Sequence, residues 1–329
     1  MNIFIPSIPA PLRISQAMWQ DFICDPVLAA WVLMGYKLDA FQAVRLRDYW
    51  WSHQCIDSSG TSSGKTITVW ICFNLRCILL PERTCGIYYQ TFQAGKASFW
   101  EYYRKCKSPM FHSQFGRTDE AGDAEVGANR TRGAACWTAY FKNGSKLDMP
   151  APSAQRDADT QASTRYHDLL LEEWTRIEDM GNAIDGQLKG RASEPTWNQH
   201  HPIWGNHILY SAHARTRMHK SYRRYAAHEK EIRRGNPVYS NLHFSHKDYS
   251  NLPSYTGKSF REQNRADSTI ESEKLTTDKA EWLGKGLGIW GISGVGWFTE
   301  EALLGCVAAG AARGVLPVLS RQQLEHSER

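Results

Sequence analysis

A run of small residues that ends in lysine and threonine, SGTSSGKT at 59–66, carries the strongest chemical signal in the sequence. It resembles the phosphate-binding pattern G-x-x-x-x-G-K-[ST], with Ser59 at the first glycine position. Small residues let the backbone curl so that its N–H groups face phosphate oxygens. Lys65 then supplies a positive charge, and the Thr66 hydroxyl can bind Mg²⁺. We expect the phosphates to contact Ser59, Gly60, Thr61, Ser62, Ser63, Gly64, Lys65 and Thr66. The alternative is a flexible loop that matches by chance.

An apolar run that ends in two carboxylates, YHDLLLEEW at 166–174, predicts a buried strand with acidic residues at its end. Glu172 is placed to hold Mg²⁺, directly or through water, although the usual residue there is aspartate. Glu173 is placed to act as general base or to position the attacking water. The alternative is the start of a helix with acidic residues in its first turn.

Two further polar residues have the chemistry of nucleotide contacts. The amide of Gln42, within LDAFQAVRL, can hydrogen-bond both the acceptor and the donor on the edge of adenine. Ser211 ends the apolar run NHILYSA, where a small hydroxyl can sense the γ-phosphate. Their alternatives are a glutamine on a helix surface and a plain serine at the end of a strand.

Hydrophobic periodicity predicts the elements that must position these groups. Residues 16–51 predict two helices, DPVLAAWVLMG and LDAFQAVRLRDYWW, and the apolar stretch 66–80 has the length of a buried helix. Asn143-Gly144 predicts a hairpin with a type I′ turn, because both central positions of that turn need φ > 0. The remaining predictions are strands at 83–92 and 201–212, helices at 93–106 and about 217–234, and a flexible loop at 113–133. Strands that alternate with helices predict an α/β fold with a mostly parallel sheet.

Composition is that of an ordinary soluble protein, with 42% hydrophobic residues, 22% charged residues and a net charge of +5. The 8 cysteines contain no Cys-x-x-Cys pair, which argues against a zinc ribbon or a thioredoxin-like site. The sequence shows neither a signal-peptide pattern nor an apolar stretch long enough for a membrane span. We therefore expect a protein of the cytoplasm, in whichever cell expresses it, without a membrane partner.

Basic residues are concentrated at 215–234, which holds eight Arg and Lys against two Glu, with Tyr222 and Tyr225 between them. Such a helix can neutralise nucleic-acid phosphates without reading sequence. The alternative is a solvated helix face.

The order of these features resembles the large terminase subunits of tailed phages: LDAFQ, GTSSGKT, the FKNGSKLDMPAPS hairpin, LLLEEW and ILYSAHART. The resemblance covers about residues 36–255. It implies a P-loop NTPase of the additional-strand glutamate class that uses ATP and Mg²⁺ to move double-stranded DNA into a procapsid. Implied partners are the portal, the small terminase subunit and further copies of the chain in a ring. The other hypotheses are a helicase-like ATPase and a non-catalytic DNA-binding or assembly remnant.

The resemblance also implies a division of the chain, with the ATPase domain at 1–250. Residues 251–329 would form a linker and the start of a nuclease domain that is truncated or missing, because no acidic cluster follows. Many members of the family carry an arginine in the phosphate loop, which this loop lacks. Arg165 is therefore the first candidate for a transition-state arginine and Arg156 the second, unless both are solvated loop residues.

Overall fold

The computed structural model describes residues 15–61, 63–89, 94–95, 98, 106, 108–112, 136–150, 166–176, 205–245, 248, 272, 274–275 and 279–291. The helix expected at 93–106 lies largely outside these residues, and the loop expected at 113–133 lies wholly outside them. No helix in the described ranges is long and apolar enough to cross a lipid bilayer.

The described strands form one seven-stranded sheet in the order β3-β4-β2-β5-β6-β1-β7. They are β1 (Gln54–Asp57), β2 (Thr84–Tyr88), β3 (Cys136–Tyr140), β4 (Lys146–Pro150), β5 (Asp168–Glu172), β6 (His207–Ser211) and β7 (Tyr239–Leu242). Only the β3–β4 pair in this sheet is antiparallel. The predicted mostly parallel α/β fold is confirmed.

The strand register brings three polar residues to one level of the sheet. Ser211 at the end of β6 pairs with Asp57 of β1 on one side and with Glu172 of β5 on the other. Because the carboxyl ends of parallel strands share an edge, a ligand bound there meets residues from all three strands. The strand β6 therefore separates the strand before the phosphate loop from the acidic strand.

The helices are α1 (Gln16–Cys24), α2 (Pro26–Met34), α3 (Ala40–Trp51), α4 (Lys65–Leu79), α5 (Pro109–His112), α6 (Tyr222–Arg233) and α7 (Lys279–Leu287). The helix predicted at 66–80 is confirmed as α4, which is buried along almost its whole length. The two helices predicted in 16–51 are confirmed as α2 and α3, and a third helix, α1, precedes them. Asp25 ends α1 and caps α2, with Oδ1 accepting from Val27 N–H (3.1 Å) and Pro26 in the first turn. That one-residue break is too short to interrupt the apolar pattern.

The predicted hairpin between β3 and β4 is confirmed, but its type I′ turn is wrong. Gly144 N–H donates to Phe141 O (3.1 Å), and Phe141 N–H donates to Ser145 O (2.9 Å). Within 136–150, all of which the structure describes, Gly144 (φ 85°) has positive φ and Asn143 does not. Asn143 instead donates through Nδ2 to the carbonyls of Cys77 and Ile78, which ties the hairpin to the end of α4. The asparagine therefore serves a contact outside the turn.

A buried ion-pair network lies at the other end of the strands, where β5 begins. Asp168, at the start of β5, lies 2.7 Å from Arg83 Nε and 3.4 Å from Arg76 Nη1 of α4. Burial raises the pKa of the Asp168 carboxyl, but the two arginines outweigh it and hold that pKa well below its usual range. Because removal of one partner would leave a buried uncompensated charge, the network holds α4 and β5 in one arrangement.

Candidate active site

The phosphate loop follows β1 and ends where α4 begins. Gly64 caps α4 with a left-handed backbone (φ 74°), and a Cβ there would lie 2.8 Å from Gln42 Nε2. The first hydrogen bond of the helix runs from Thr68 N–H to Gly64 O (3.1 Å). The amides that precede Thr68 therefore lie at the positive end of a long helix, a general binding site for anions.

Lys65 lies inside the loop and is almost fully buried. Its Nζ donates to the carbonyls of Ser59 (2.7 Å) and Gly60 (2.9 Å). Burial lowers the pKa of Lys65, while the nearby Asp57 carboxylate opposes that shift. A phosphate that entered the loop would offer this ammonium a stronger, charged acceptor than either carbonyl.

Ser59, the departure from the usual first glycine, has a structural contact. Its Oγ accepts from Phe244 N–H (2.9 Å), and Gly60 N–H donates to Phe244 O (2.9 Å). Phe244 lies just beyond β7, so the serine joins the loop to the edge of the sheet. Ser62 lies outside the described residues.

Segment 279–291, which contains α7, packs directly on the phosphate loop. Thr61 N–H donates to Lys285 O (2.6 Å). A Cβ on Gly60 would lie 2.7 Å from Gly286 O, so this contact needs glycine. The proposed division at residue 250 remains a prediction, but 279–291 contacts the residues assigned to the ATPase domain.

A buried arginine of α3 that was not predicted from the sequence contacts the phosphate loop. Arg45 of α3 lies 2.7 Å from Asp57 Oδ2 through Nε, and its Nη2 donates to Ser63 Oγ (3.1 Å). Tyr49, one turn further along α3, also donates to Asp57. Burial raises the pKa of Asp57, but Arg45 and Lys65 outweigh it and the pKa is lowered. The loop is thus held to α3 by a charged network.

Gln42 lies on the same helix, next to the loop. Its Oε1 accepts from Asp39 N–H (3.1 Å) and so completes a capping box at the start of α3. The amide oxygen has a second lone pair and the Nε2 group faces Gly64. Adenine recognition by Gln42 remains a prediction, and the capping contact gives this residue a second role.

Thr66 and Glu172, the two expected magnesium ligands, are in direct contact. Thr66 Oγ1 donates to Glu172 Oε1 (2.6 Å). Burial raises the pKa of Glu172 to about 7, against the lowering effects of Thr66 and Ser211. A hydroxyl and a carboxylate are oxygen ligands that suit Mg²⁺. The described residues contain no group of three metal-ligating side chains, so phosphate and water oxygens would complete the coordination shell.

Glu173 begins a tight turn immediately after β5. Its backbone is left-handed (φ 53°), which is uncommon for a residue with a side chain. Such residues occur in tight turns and cluster at functional sites. Its Oε2 lies 3.4 Å from Arg176 Nε and 3.7 Å from His213 Nδ1. The turn therefore directs Glu173 away from the path of β5, toward the loop that follows β6.

That loop carries a second group of residues close to the acidic turn. Ser211 ends β6 between Asp57 and Glu172. Its role as γ-phosphate sensor remains a prediction. Burial is the main cause of the lowered pKa of Arg215. The charge of Arg176 lowers this pKa further, and the charge of Glu173 raises it. Arg165 and Arg156, the predicted transition-state arginines, lie outside the described residues. Arg176 and Arg215 are the arginines that the described structure brings near Glu173.

The basic stretch separates into an inner and an outer face. Tyr222 and Tyr225 pack against Trp290 of segment 279–291, with ring centroids 5.6 Å and 5.2 Å away. Arg224 Nη1 donates to Tyr210 OH (2.8 Å), which anchors α6 to the sheet. The exposed cations are Arg217, Lys220, Arg223, Lys230, Arg233 and Arg234. The tyrosines therefore hold the helix in place, and the outer face is mainly positive.

The strand order, the glycine-capped loop and the Thr66–Glu172 contact together define a class. This fold is that of a P-loop NTPase with an additional strand between the loop strand and the acidic strand.

Comparison of structures makes the fold more specific. A point mutant of the large terminase ATPase domain of Thermus phage P74-26 matches with a TM-score of 0.52 and 14% identity, over 85% of this chain and 100% of that chain. The large terminase of a thermophilic bacteriophage, in complex with ATP-gamma-S, matches with a TM-score of 0.51 and 13% identity. That match covers 78% of this chain and 53% of the other, so this chain spans about half the length of that terminase. No family model and no curated protein sequence matches. The chain has the fold of phage large terminase ATPase domains.

Proposed function

We propose that this chain is a magnesium-dependent ATPase that powers the movement of double-stranded DNA in a phage terminase. The observation that supports it most directly is the contact of Thr66 with Glu172, which joins the phosphate loop to the acidic strand. Glu173 follows at once in a strained turn beside the same site. The likeness to a terminase in complex with ATP-gamma-S supports nucleotide binding.

The residues divide the work by position. The amides at the start of α4 hold the phosphates, and Lys65 exchanges two loop carbonyls for phosphate oxygens. Thr66 and Glu172 would hold Mg²⁺, which would neutralise charge on the phosphates. Glu173 accepts a proton from the attacking water or orients it. Ser211 reports the state of the γ-phosphate to the loop after β6.

The finer parts of the proposal concern partners. Exposed cations along 215–234 would bind the DNA backbone without sequence preference. Further copies of the chain would form a ring at the portal of a procapsid, with the small terminase subunit recruiting DNA. The ATPase domain would include residues 279–291, because they contact the phosphate loop.

The proposal is tested by magnesium-dependent ATP hydrolysis with the wild type, Lys65→Ala and Glu173→Gln. We expect slow hydrolysis by the wild type, faster with DNA and procapsids present. Lys65→Ala should weaken ATP binding about tenfold or more, because a charged hydrogen-bond donor is lost. Glu173→Gln should bind ATP normally and lose about 100-fold or more in turnover, the usual contribution of a general base. Filter binding with labelled ATP separates affinity from turnover.

Equal ATP binding by the wild type and Lys65→Ala would contradict the proposal and favour a non-catalytic DNA-binding protein. Unchanged turnover in Glu173→Gln would remove Glu173 from the reaction. Separation of DNA strands by the ATP-hydrolysing chain, without procapsids, would instead favour a helicase-like ATPase.

A further inference from the structure

We propose that His213 is a positioning residue for Glu173, donating a hydrogen bond from Nδ1 to Oε2 so that Oε1 is left to face the attacking water. This inference rests on the proposed ATPase function and adds a residue that orients the proposed general base, Glu173. The two groups come from different strand ends, β5 and β6, and lie 3.7 Å apart.

The backbone on both sides of His213 is hydrogen-bonded to the two residues that precede the phosphate loop. Ala212 N–H donates to Asp57 O (3.1 Å), and Ala214 N–H donates to Ser58 O (3.3 Å). His213 therefore lies in an extended stretch that continues the pairing of β6 with β1. Its position relative to the loop cannot change without breaking one of these bonds.

The imidazole is buried but unsatisfied. His213 is 1% exposed, and among the described residues neither of its ring nitrogens makes a hydrogen bond. Oε2 of Glu173 is buried and without a hydrogen bond as well. Buried polar atoms are nearly always paired in proteins, so a donor and an acceptor left facing each other indicate a bond that forms in another state of the site.

His213 is suited to act as a neutral donor. Burial, followed by the nearby Arg215 and Arg176, lowers the pKa of His213 to about 3. The ring is therefore uncharged at neutral pH and carries one N–H. A neutral donor adds a hydrogen bond to the carboxylate without adding a further positive charge that would reduce its basicity.

Arg176 and His213 approach the same oxygen of Glu173. Arg176 Nε lies 3.4 Å from Oε2, the atom that also faces His213 Nδ1. Hydrogen bonds from both groups to Oε2 would fix the rotation of the carboxylate and leave Oε1 for the attacking water. The left-handed backbone of Glu173 turns its side chain toward this pair.

The test compares His213→Asn with His213→Gln. The amide nitrogen of asparagine occupies a position close to Nδ1, whereas that of glutamine lies close to Nε2, so only asparagine should rescue the contact. We expect His213→Asn to keep kcat within about threefold of the wild type and His213→Gln to lose about tenfold or more. Both should bind ATP with wild-type affinity in the filter assay. His228→Asn, another buried histidine, serves as the control and should leave basal turnover unchanged.

A double-mutant cycle with Glu173→Gln distinguishes positioning from packing. If His213 acts through Glu173, His213→Gln should add no further loss in single-turnover hydrolysis when Glu173 is already glutamine. Equal kcat losses in His213→Asn and His213→Gln, or a full further loss in the double variant, would overturn the inference. An unchanged kcat in His213→Gln would overturn it too, while a wild type without ATP hydrolysis would instead defeat the proposed function.

Discussion

Arg45 and Asp57 form the charged support beneath the phosphate loop, and both are fully buried. The guanidinium of Arg45 reaches Asp57 at the end of β1 and Ser63 in the loop, so it spans the loop from one end to the other. Charges buried in this way are costly unless every partner remains in place. The shape of the loop therefore depends on a residue that would not itself touch nucleotide.

Replacement of Arg45 by methionine should destabilise the protein and weaken ATP binding together. Loss of one partner from a buried ion pair costs about 3–5 kcal/mol, since Asp57 would be left buried without its cation. Arg45→Lys should recover part of the stability, because it keeps the charge but loses the forked geometry. Thermal unfolding and ATP titration measure the two effects.

Arg47→Met is the matched control on the same helix. Arg47 pairs with Asp25 at 3.2 Å, but both side chains are exposed, and such pairs contribute about 0–1 kcal/mol. If Arg45→Met had the same stability and ATP affinity as Arg47→Met, the proposal that Arg45 supports the phosphate loop would be wrong.

Site residues that belong to a known sequence motif could be predicted from the sequence. Residues that reach the site only through the fold could not. Lys65, Thr66 and Glu172 follow from motif and spacing, and the structure brings the last two together. Helical periodicity puts Arg45 on the face of Gln42, but it does not say what that face contacts. His213 could not be predicted, because its proximity to Glu173 depends on the order of β5 and β6 in the sheet.

At the scale of elements, α6 is anchored by its tyrosines and carries a row of exposed cations. Tyr222 and Tyr225 contact Trp290, which also lies 6.5 Å, centroid to centroid, from Trp174. Trp174 is the residue after Glu173. The inner face of α6 is therefore joined through aromatic contacts to the turn that holds the proposed base.

Neutralisation of three cations on α6 should weaken DNA binding and reduce its dependence on salt. Each lost phosphate contact lowers the slope of log K against log[salt] by about 0.9, so three lost contacts lower it by up to about 2.7. Basal ATP hydrolysis should stay unchanged. The measurement is a DNA titration at several salt concentrations with the triple glutamine variant of Arg223, Lys230 and Arg233.

The control variant changes the net charge equally at exposed positions elsewhere, Lys37, Arg47 and Lys142. It should bind DNA with nearly the affinity and salt slope of the wild type. If the two triple variants lose DNA binding to the same extent, net charge rather than α6 governs the interaction.

Sequence patterns predicted long elements better than short ones. The helix α4 and the strands β2, β5 and β6 were predicted, because their apolar runs have few interpretations. The strand β7 was missed, since YSNL is short, polar and only half-buried. That omission also hid the role of Ser59, which depends on the chain just beyond β7.

At the scale of the molecule, the sheet brings the ends of β1, β6 and β5 to one site, and segment 279–291 closes over it. The alternation of strands and helices predicted a parallel sheet, but the order of its strands depends on contacts between distant parts of the chain. The contact of Lys285 with Thr61 could not be read from the sequence, because more than two hundred residues separate them. Nucleotide binding at the loop would therefore act directly on a segment that also packs against α6.

The most direct test of the account is a crystal structure of this chain with Mg²⁺ and a non-hydrolysable ATP analogue. We predict that the β- and γ-phosphates contact the amides of residues 63–66 and that Lys65 leaves the carbonyls of Ser59 and Gly60 for the phosphates. Thr66 and Glu172 should lie in the magnesium shell, and Glu173 should face the γ-phosphate. A triphosphate bound elsewhere, with Lys65 still held by the two carbonyls, would contradict the account.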